Sequence, residues 1–364
     1  MTENNPFTPN FGQIPKYIAG REQVISEVLR ALEGNSVDPA RTSIFIGARG
    51  TGKTALLSYF SHECRSKGWI SVNVNCIPGV QEDILQQLAS AAQEFIPRKD
   101  SKTVTGVSFG QLFGVSWKEK EQNPSNWRSR ITEALMELEE YGAGLLITID
   151  EVTASLDEMI QIASIYQLLL RENRKIALLM AGLPSEVSAL LNERSVSFLR
   201  RSSQYVLGRI EDHDIELGLK KTVDASGKTI TPEALLKAVK AIDGFPYMMQ
   251  LVGYRSWQQA ENENVIGVRE ADEGIRLAEK DFESRVLKAT AVELSKVDIQ
   301  FIKAMLPDED VSEVSQIEKR MRKNAGYISR YRIRLIEQGV IEQAGRGKVR
   351  VSLPGLKKYI GENY

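Results

Sequence analysis

Residues 47–54 read Gly47-Ala48-Arg49-Gly50-Thr51-Gly52-Lys53-Thr54, a complete G-x-x-x-x-G-K-[ST] phosphate-binding loop. An apolar run at 43–46 precedes the loop, and a helix-favouring stretch at 54–60 follows it, which is the strand-loop-helix order that the motif requires. The glycines are needed because a backbone that wraps a phosphate chain must turn several N–H donors into one concavity. The segment therefore predicts a nucleotide site, whereas a glycine-rich turn without a ligand is the alternative.

The residues of this loop have separate predicted tasks. Lys53 is expected to reach the β- and γ-phosphates of ATP or ADP, and the Thr54 hydroxyl is expected to ligate Mg²⁺. The first turn of the following helix adds partial positive charge beside the phosphates. The loop residues predicted to bind nucleotide are Gly47, Ala48, Arg49, Gly50, Thr51, Gly52, Lys53, Thr54 and Ala55.

A second motif is the apolar run at 144–149, which is followed by the acids Asp150 and Glu151. Such a run is typical of a strand buried on both faces of a parallel sheet. Asp150 is predicted to belong to the Mg²⁺ shell, and Glu151 to orient and polarise the attacking water; a solvent-facing strand end is the alternative. This pair favours hydrolysis over transfer to a small substrate. The sequence has no Asn-Lys-x-Asp segment, which favours adenine over guanine.

Charge is unevenly distributed along the 364 residues. Lys and Arg number 47 and Asp and Glu number 48, which gives the chain a formal charge of −1. The segment from Lys319 to Arg350 nevertheless holds ten basic residues and two acids, a formal charge of +8. This asymmetry indicates a polyanion-binding surface at one end of the chain.

Cysteine content and hydropathy indicate the compartment. Cys64 and Cys76 have no metal-ligating residues near them in the sequence, which favours a reducing environment. No stretch approaches eighteen uninterrupted apolar residues, and the N-terminal residues 1–5 are polar. We therefore expect a soluble cytoplasmic protein that has no membrane contact.

The order of the predicted elements divides the chain into three parts. Residues 1–210 alternate short apolar strands with helices, which predicts a three-layer α/β/α core around a parallel sheet. Residues 211–290 are expected to form a helical domain, with helices at 232–242 and 246–257, and residues 291–364 a third unit. The predicted strands are 43–46, 69–74, 144–150, 176–181 and 204–207, and the glycine-punctuated segment 103–117 is interpreted as a hairpin or loop insertion.

The third unit has the element order of a winged helix. Helices are predicted at 298–305, 311–322 and 327–338, with a short turn at 323–326 between the last two, as a helix-turn-helix requires. A hairpin of strands 340–343 and 349–353 follows, and its tip is basic. In the last helix Ile333 and Ile336 are expected to face the core. The residues predicted to contact DNA are Arg330, Arg332, Arg334, Arg346 and Lys348, although docking of the unit onto protein remains open.

Together these motifs resemble the AAA+ ATPases of the origin-recognition/initiator type, and they are also similar to the STAND signalling ATPases. The resemblance spans nearly the whole chain and implies a P-loop ATPase core, a helical lid and a C-terminal winged helix. In these families a G-R-E element lies along the adenine pocket. Gly20-Arg21-Glu22 matches it, which implies that Arg21 is a nucleotide contact and that Tyr17 and Ile18 contact the base.

The chain departs from the initiator pattern at two places. Initiator-type ATPases carry a polar sensor residue after the fourth strand, and here only Ser185 is a candidate for it. Their lid usually contributes an arginine to the γ-phosphate, but the lid segment 244–248 contains none. That segment instead carries a Gly-x-Pro motif that resembles the STAND lid and implies nucleotide contact by Pro246. The resemblance to ring-forming members implies that Arg201, or failing that Arg200, is an arginine finger, which supplies positive charge to the site of a neighbouring subunit.

Two functions remain open at this point. The leading hypothesis is an ATP-hydrolysing protein that binds DNA through the winged helix in a nucleotide-dependent way. The alternative is a STAND-like switch whose winged helix contacts protein and whose output is oligomerisation. Self-association or a partner protein is compatible with both hypotheses.

Overall fold

The computed structural model describes residues 5–10, 12–34, 38–95 and 124–364. Five parallel strands form the central sheet: β1 (Thr42–Ile46), β2 (Trp69–Asn75), β3 (Gly144–Asp150), β4 (Ile176–Gly182) and β5 (Ser203–Val206). Their spatial order is β2-β3-β4-β1-β5. The five predicted strands are confirmed. The interpretation of segment 103–117 as a hairpin or loop lies outside the described residues.

Strand β3 shows how the sequence builds three layers. Its residues are all buried, and successive side chains point to opposite faces of the sheet. Leu145 and Ile147 pack on one face against helices, whereas Leu146 packs with Phe45 on the other face. The helices on the first face are α3 (Val80–Phe95), α4 (Pro124–Glu140), α5 (Asp157–Arg171) and α6 (Pro184–Asn192), and those on the second are α1 (Glu22–Glu33) and α2 (Lys53–Glu63). The prediction of an α/β/α core is therefore confirmed.

A helical lid follows the sheet. Its helices are α7 (Asp212–Asp224), α8 (Pro232–Ile242), α9 (Pro246–Gln259) and α10 (Val268–Phe282). The predicted helical character of this part is confirmed, and Thr229–Ile230 and Val265–Ile266 pair within it as two short parallel strands, β6 and β7. The buried Lys228 ammonium fixes this pair by donating to the carbonyls of Ala260 and Glu263.

The first described residues pack on the lid. Phe7 is buried beside α9, where a Cβ on Gly253 would lie 2.3 Å from the Phe7 ring. From α10 the chain continues through a π-helical turn, Glu283–Leu287, into α11 (Lys288–Glu293). This run of helix carries the chain from the lid to the third unit.

The third unit is a winged helix. It contains helices α12 (Lys296–Met305), α13 (Val314–Met321), α14 (Ala325–Glu337) and α15 (Leu356–Asn363), and strands β8 (Val311–Glu313), β9 (Ile341–Gln343) and β10 (Lys348–Val351). The strands form an antiparallel sheet in the order β8-β10-β9. The predicted order of helices and hairpin is confirmed.

Two details of this unit correct the sequence interpretation. Residues 311–313 are a strand and not the start of a helix, because they pair with residues 348–350 of β10. Ile333 is 48% exposed, so the prediction that it faces the core was wrong. The buried residues of α14 are Ile328 and Leu335; Ile333 is two positions from Leu335 and therefore points about 200° away from it around the helix. Ile336 is half-buried against the core, as predicted.

Within the described ranges, the helices are too short or too polar to cross a membrane.

Candidate functional site

The phosphate loop connects β1 to α2 in a conformation that requires glycine. Gly50 has a φ of 81° and Gly52 a φ of 89°, both in the left-handed region that other residues adopt at a cost. Gly52 is the residue before α2, so Lys53 opens the helix. This places the Lys53 ammonium and the first amides of α2 at one point, as the sequence motif predicts.

Lys53 lies in a partly desolvated position under the loop. Its ammonium donates hydrogen bonds to the carbonyls of Gly47 and Ala48, both at 2.8 Å. Burial lowers the pKa of Lys53 from 10.5 to about 8, and the carboxylates of Asp150 and Glu151 partly oppose this shift. A cation that is short of solvent is well prepared to exchange these carbonyls for phosphate oxygens.

Thr54 and Asp150 meet across the end of the sheet. The Thr54 hydroxyl donates to Asp150 Oδ2 over 2.5 Å, and Asp150 is only 9% exposed. Asp150 Oδ1 accepts from the Glu151 N–H at 2.9 Å. Hydroxyl and carboxylate oxygens are ligands that Mg²⁺ prefers, so this pair fits the predicted metal site.

Glu151 leaves the strand in a strained conformation. Its φ of 54° is in the left-handed region, which is uncommon for a residue other than glycine and costs roughly 1–2 kcal/mol. The side chain is exposed immediately beyond the end of β3. A carboxylate in this position beside the Thr54–Asp150 pair is suited to contact water.

The tip of the lid lies directly on the phosphate loop. A Cβ added to Gly50 would lie 2.7 Å from the Phe245 ring and 3.5 Å from Tyr247 Cβ, and one on Gly52 would lie 3.9 Å from Pro246 Cβ. Pro246 is therefore brought to the loop, and the nucleotide contact predicted for it stays a prediction. Phe245 and Tyr247 were not singled out from the sequence, although an aromatic residue on each side of a lid proline is a usable signal.

The G-R-E element lies at the joint between the core and the lid. Arg21 donates to the carbonyl of Gly208 at 2.5 Å, and burial lowers its pKa. Tyr17 packs on α7, where a Cβ on Gly218 would lie 3.0 Å from its ring, and a hydrogen bond to Glu22 raises the pKa of Tyr17 to about 12. Ile18 is half-buried beside it. These residues line the joint between the core and the lid.

Arg200 and Arg201 are the residues predicted to act on a neighbouring subunit. Arg200 and Arg201 end a short 3₁₀ helix, Arg194–Arg201, just before the edge strand β5, and both side chains are exposed. Arg200 donates to the carbonyl of Leu191 at 2.7 Å. Ser185 is half-buried in the first turn of α6.

The winged helix contacts the phosphate loop; docking of this unit onto protein was the alternative left open by the sequence, without residues assigned to it. A Cβ on Gly339, just past α14, would lie 2.8 Å from Ala48 Cβ and 2.9 Å from Ala48 Cα. Arg49 also forms a 2.9 Å ion pair with Glu293 at the end of α11. Gly339 has a φ of 71° and in sequence looks like an ordinary glycine after a helix, so its interdomain contact carried no separate signal.

The five basic residues predicted to contact DNA fall into two groups. Arg330, Arg346 and Lys348 are exposed and form no ion pair within the described part of the chain. Arg334 pairs with the fully buried carboxylate of Asp298 at 3.2 Å, and Arg332 is half-buried, with Nε lacking a hydrogen-bond partner among the described residues.

The central sheet, the lid and the small C-terminal sheet define the fold of the AAA+ ATPases over nearly the whole chain. A Walker-type ATPase of Pyrococcus abyssi aligns with a TM-score of 0.67 at 11% identity, over 94% of this chain and 96% of that chain. The ORC2 protein of Aeropyrum pernix, solved as ADPNP-ADP complexes, aligns with a TM-score of 0.61 at 13% identity, over 97% and 95%. At these identities the likeness establishes the fold.

Sequence comparison covers a smaller part of the chain. Residues 282–360 match the family described as "Domain of unknown function (DUF8462)". No curated protein matches the chain at a significant level. The matched segment starts at the end of α10 and covers the winged helix up to residue 360, within α15.

Proposed function

We propose that the protein binds and hydrolyses ATP and binds DNA through its winged helix in a nucleotide-dependent way. The observation that carries the ATPase part is the convergence of Lys53, Thr54 and Asp150 at one end of the sheet. The loop residues 47–55 would bind the phosphates of ATP or ADP. Tyr17, Ile18 and Arg21 would border the base, and Pro246 would close over the nucleotide.

Thr54 and Asp150 would hold Mg²⁺, which when bound neutralises charge on the β- and γ-phosphates. Lys53 would release the carbonyls of Gly47 and Ala48 and contact the same phosphates. Glu151 would orient the attacking water and accept its proton. Arg201 or Arg200 of a neighbouring copy would supply further positive charge.

The ATPase part is tested by titrating ADP into the wild type and Lys53→Ala, with circular dichroism as the check on folding. We expect the folded variant to lose measurable binding, because Lys53 neutralises phosphate charge. Unchanged affinity would remove the assignment of the site.

The DNA-binding part is supported by the exposed cations of the winged helix, in particular Arg330, Arg346 and Lys348. Neutralisation of about four phosphates gives log K against log[salt] a slope of roughly −3.6. Duplex binding is to be measured by fluorescence anisotropy with ATP, with ADP and without nucleotide. Equal affinity in all three states would contradict nucleotide dependence, and no binding would contradict the DNA assignment.

A second candidate function is favoured by the contact of Gly339 with Ala48. In a STAND-like switch the winged helix holds the ATPase core through such a contact, and its release leads to oligomerisation. Light scattering with ATP and with ADP separates the two candidates. A change in mass without DNA binding supports the switch, whereas DNA binding without a change in mass supports the leading proposal.

A further inference from the structure

Helix α14 has two ends that face different parts of the molecule. It has 13 residues and is therefore about 20 Å long. Its N-terminal end follows the exposed turn Arg322, Lys323 and Asn324, and the Asn324 side chain caps it by accepting from the Tyr327 N–H at 2.9 Å. Just past its C-terminal end, Gly339 contacts Ala48 of the phosphate loop.

The cations of the winged helix differ in whether an acid already neutralises them. Arg320 pairs with Asp308, Arg334 with Asp298, and Arg350 with Glu342 and Asp310. These three arginines stabilise the unit itself. An added polyanion would have to compete with carboxylates for them, so they contribute little to a binding surface.

The cations near the N-terminal end of α14 have no such partners. Within the described residues, Lys319, Arg322, Lys323 and Arg330 form no ion pair, and all four are exposed. Lys323 lies 5.3 Å from the centre of the Tyr327 ring, which in turn packs on Tyr331. These four residues are exposed while the winged helix contacts the ATPase core, so a partner can reach them without separating the two.

At the other end of α14, the contact with Ala48 is directly linked to Lys53, the residue proposed to bind phosphate. The carbonyl of Ala48 accepts the hydrogen bond from Lys53, and the Ala48 Cα and Cβ are the atoms that a Cβ on Gly339 would strike. A shift of α14 along its axis therefore moves the residue that positions Lys53. Because a packed helix moves as a rigid body, displacement at one end is transmitted to the other.

We propose that Lys319, Arg322, Lys323 and Arg330 bind the phosphate backbone of DNA while the winged helix stays in contact with the phosphate loop, and that α14 thereby couples DNA binding to nucleotide exchange. This inference rests on the proposed function and adds the contact residues and the route of coupling. The surface is a phosphate-backbone contact, so it provides affinity and orientation without selecting a sequence.

The contact residues are tested by the double variant Arg322→Glu, Lys323→Glu. Removal of two positive charges and addition of two negative ones is expected to weaken duplex binding at least about tenfold at low salt. The comparison variant is Arg320→Glu, which is ion-paired to Asp308 and is expected to weaken binding less. An unchanged affinity of the double variant would overturn the assignment of this surface.

The route of coupling is tested by the release rate of a fluorescent ADP analogue with and without duplex DNA. In the wild type we expect DNA to change the rate by about fivefold or more, the lower end of usual coupling between sites. Gly339→Ala is expected to bind DNA like the wild type and to lose this effect, because the added methyl group separates Gly339 from Ala48.

Gly355→Ala is the matched control for backbone strain. Gly355 has a φ of 73° against 71° for Gly339, but a Cβ there meets only Leu287 Cδ1 at 3.6 Å, an ordinary contact. We expect this variant to retain the effect of DNA on ADP release. A DNA effect of the same size in both variants would overturn the route through α14 while leaving the proposed function in place. Absence of DNA binding in the wild type would instead remove the proposed function itself.

Discussion

The Thr54 hydroxyl donates a 2.5 Å hydrogen bond to Asp150 Oδ2, which ties the first turn of α2 to the end of β3. These two oxygens are the pair that we assign to Mg²⁺.

Asp150→Asn replaces a charged ligand with a neutral one, so we expect ATP affinity to lose most of its dependence on Mg²⁺. Titrations with Mg²⁺ and with EDTA measure this difference. Asp157→Asn is the control, since Asp157 is exposed in the next helix. A full Mg²⁺ effect in Asp150→Asn would place the metal elsewhere.

The Glu151 carboxylate is exposed beside this pair and is the proposed base. Glu151→Gln keeps the size of the side chain but cannot accept a proton. We expect ATP to remain bound and its hydrolysis to slow by about 10² or more. Phosphate release in single turnover is the measurement. Hydrolysis at the wild-type rate would mean that Glu151 only ends the strand.

The lowered pKa of Lys53 predicts how nucleotide affinity depends on pH. Its pKa is about 8 in the folded protein, and the protonated form is the one proposed to bind phosphate. Affinity should therefore be nearly constant below pH 8 and fall by about tenfold per pH unit above it, until the pKa of the bound state is reached. Calorimetry between pH 7 and 9.5 is the test, with folding checked at each pH.

Lys53→Arg is the companion variant, because a guanidinium stays charged throughout this range. Whatever the size of its affinity, we expect no decline between pH 7 and 9.5. If both proteins decline equally, the titrating group is not Lys53.

Arg201 is proposed to act on a neighbouring copy. ATPase activity per subunit should then rise with protein concentration in the wild type, and Arg201→Ala should lose that dependence. Arg194→Ala is the control, because Arg194 is an exposed arginine at the other end of the same short helix. A rate independent of concentration, in a protein that stays monomeric, would exclude a finger in trans.

Arg334 is expected to contribute to stability more than to DNA binding. Its partner Asp298 is fully buried, and Ser295 also donates to the same carboxylate oxygen. Arg334→Ala leaves this buried carboxylate without its cation, at a cost of about 1–3 kcal/mol. Arg330→Ala removes an exposed arginine of the same helix and should cost less. Thermal unfolding of both variants compares the two losses of stability, and equal midpoints would contradict the buried pairing.

Much of the fold was predictable from the sequence because its signals are local. The phosphate loop is complete within eight residues, and Gly50 and Gly52 adopt positive φ values in it. The runs that form β3 and β4 are apolar throughout because both faces of a parallel sheet are covered. Asp150 and Glu151 follow from the same pattern, since acids end the buried run. The winged-helix order was likewise predictable, because the helices, the short turn at 323–326 and the hairpin that follows each have a local pattern.

Other features depended on the three-dimensional packing. Residues 311–313 became a strand because β10 offers partners far away in sequence. Ile333 turned outward because the buried stripe of α14 runs through Ile328 and Leu335, and contacts with the other helices fix that rotation. Arg334 and Arg330 lie on the same helix, but Arg334 forms an ion pair because Asp298 lies beside it. Asp298 belongs to the first turn of α12, so the sequence around the arginines does not reveal this pair.

The sequence by itself determined the nucleotide loop, the acids that end β3, and the order of core, lid and winged helix, because each follows from residues close together in the chain. The tertiary structure decided that Phe245 contacts the phosphate loop at Gly50 and that Gly339 contacts it at Ala48. Glycine adopts a positive φ or permits a close approach in any context, so its presence at position 339 does not specify its neighbour. That neighbour is fixed by how the three parts of the chain pack together.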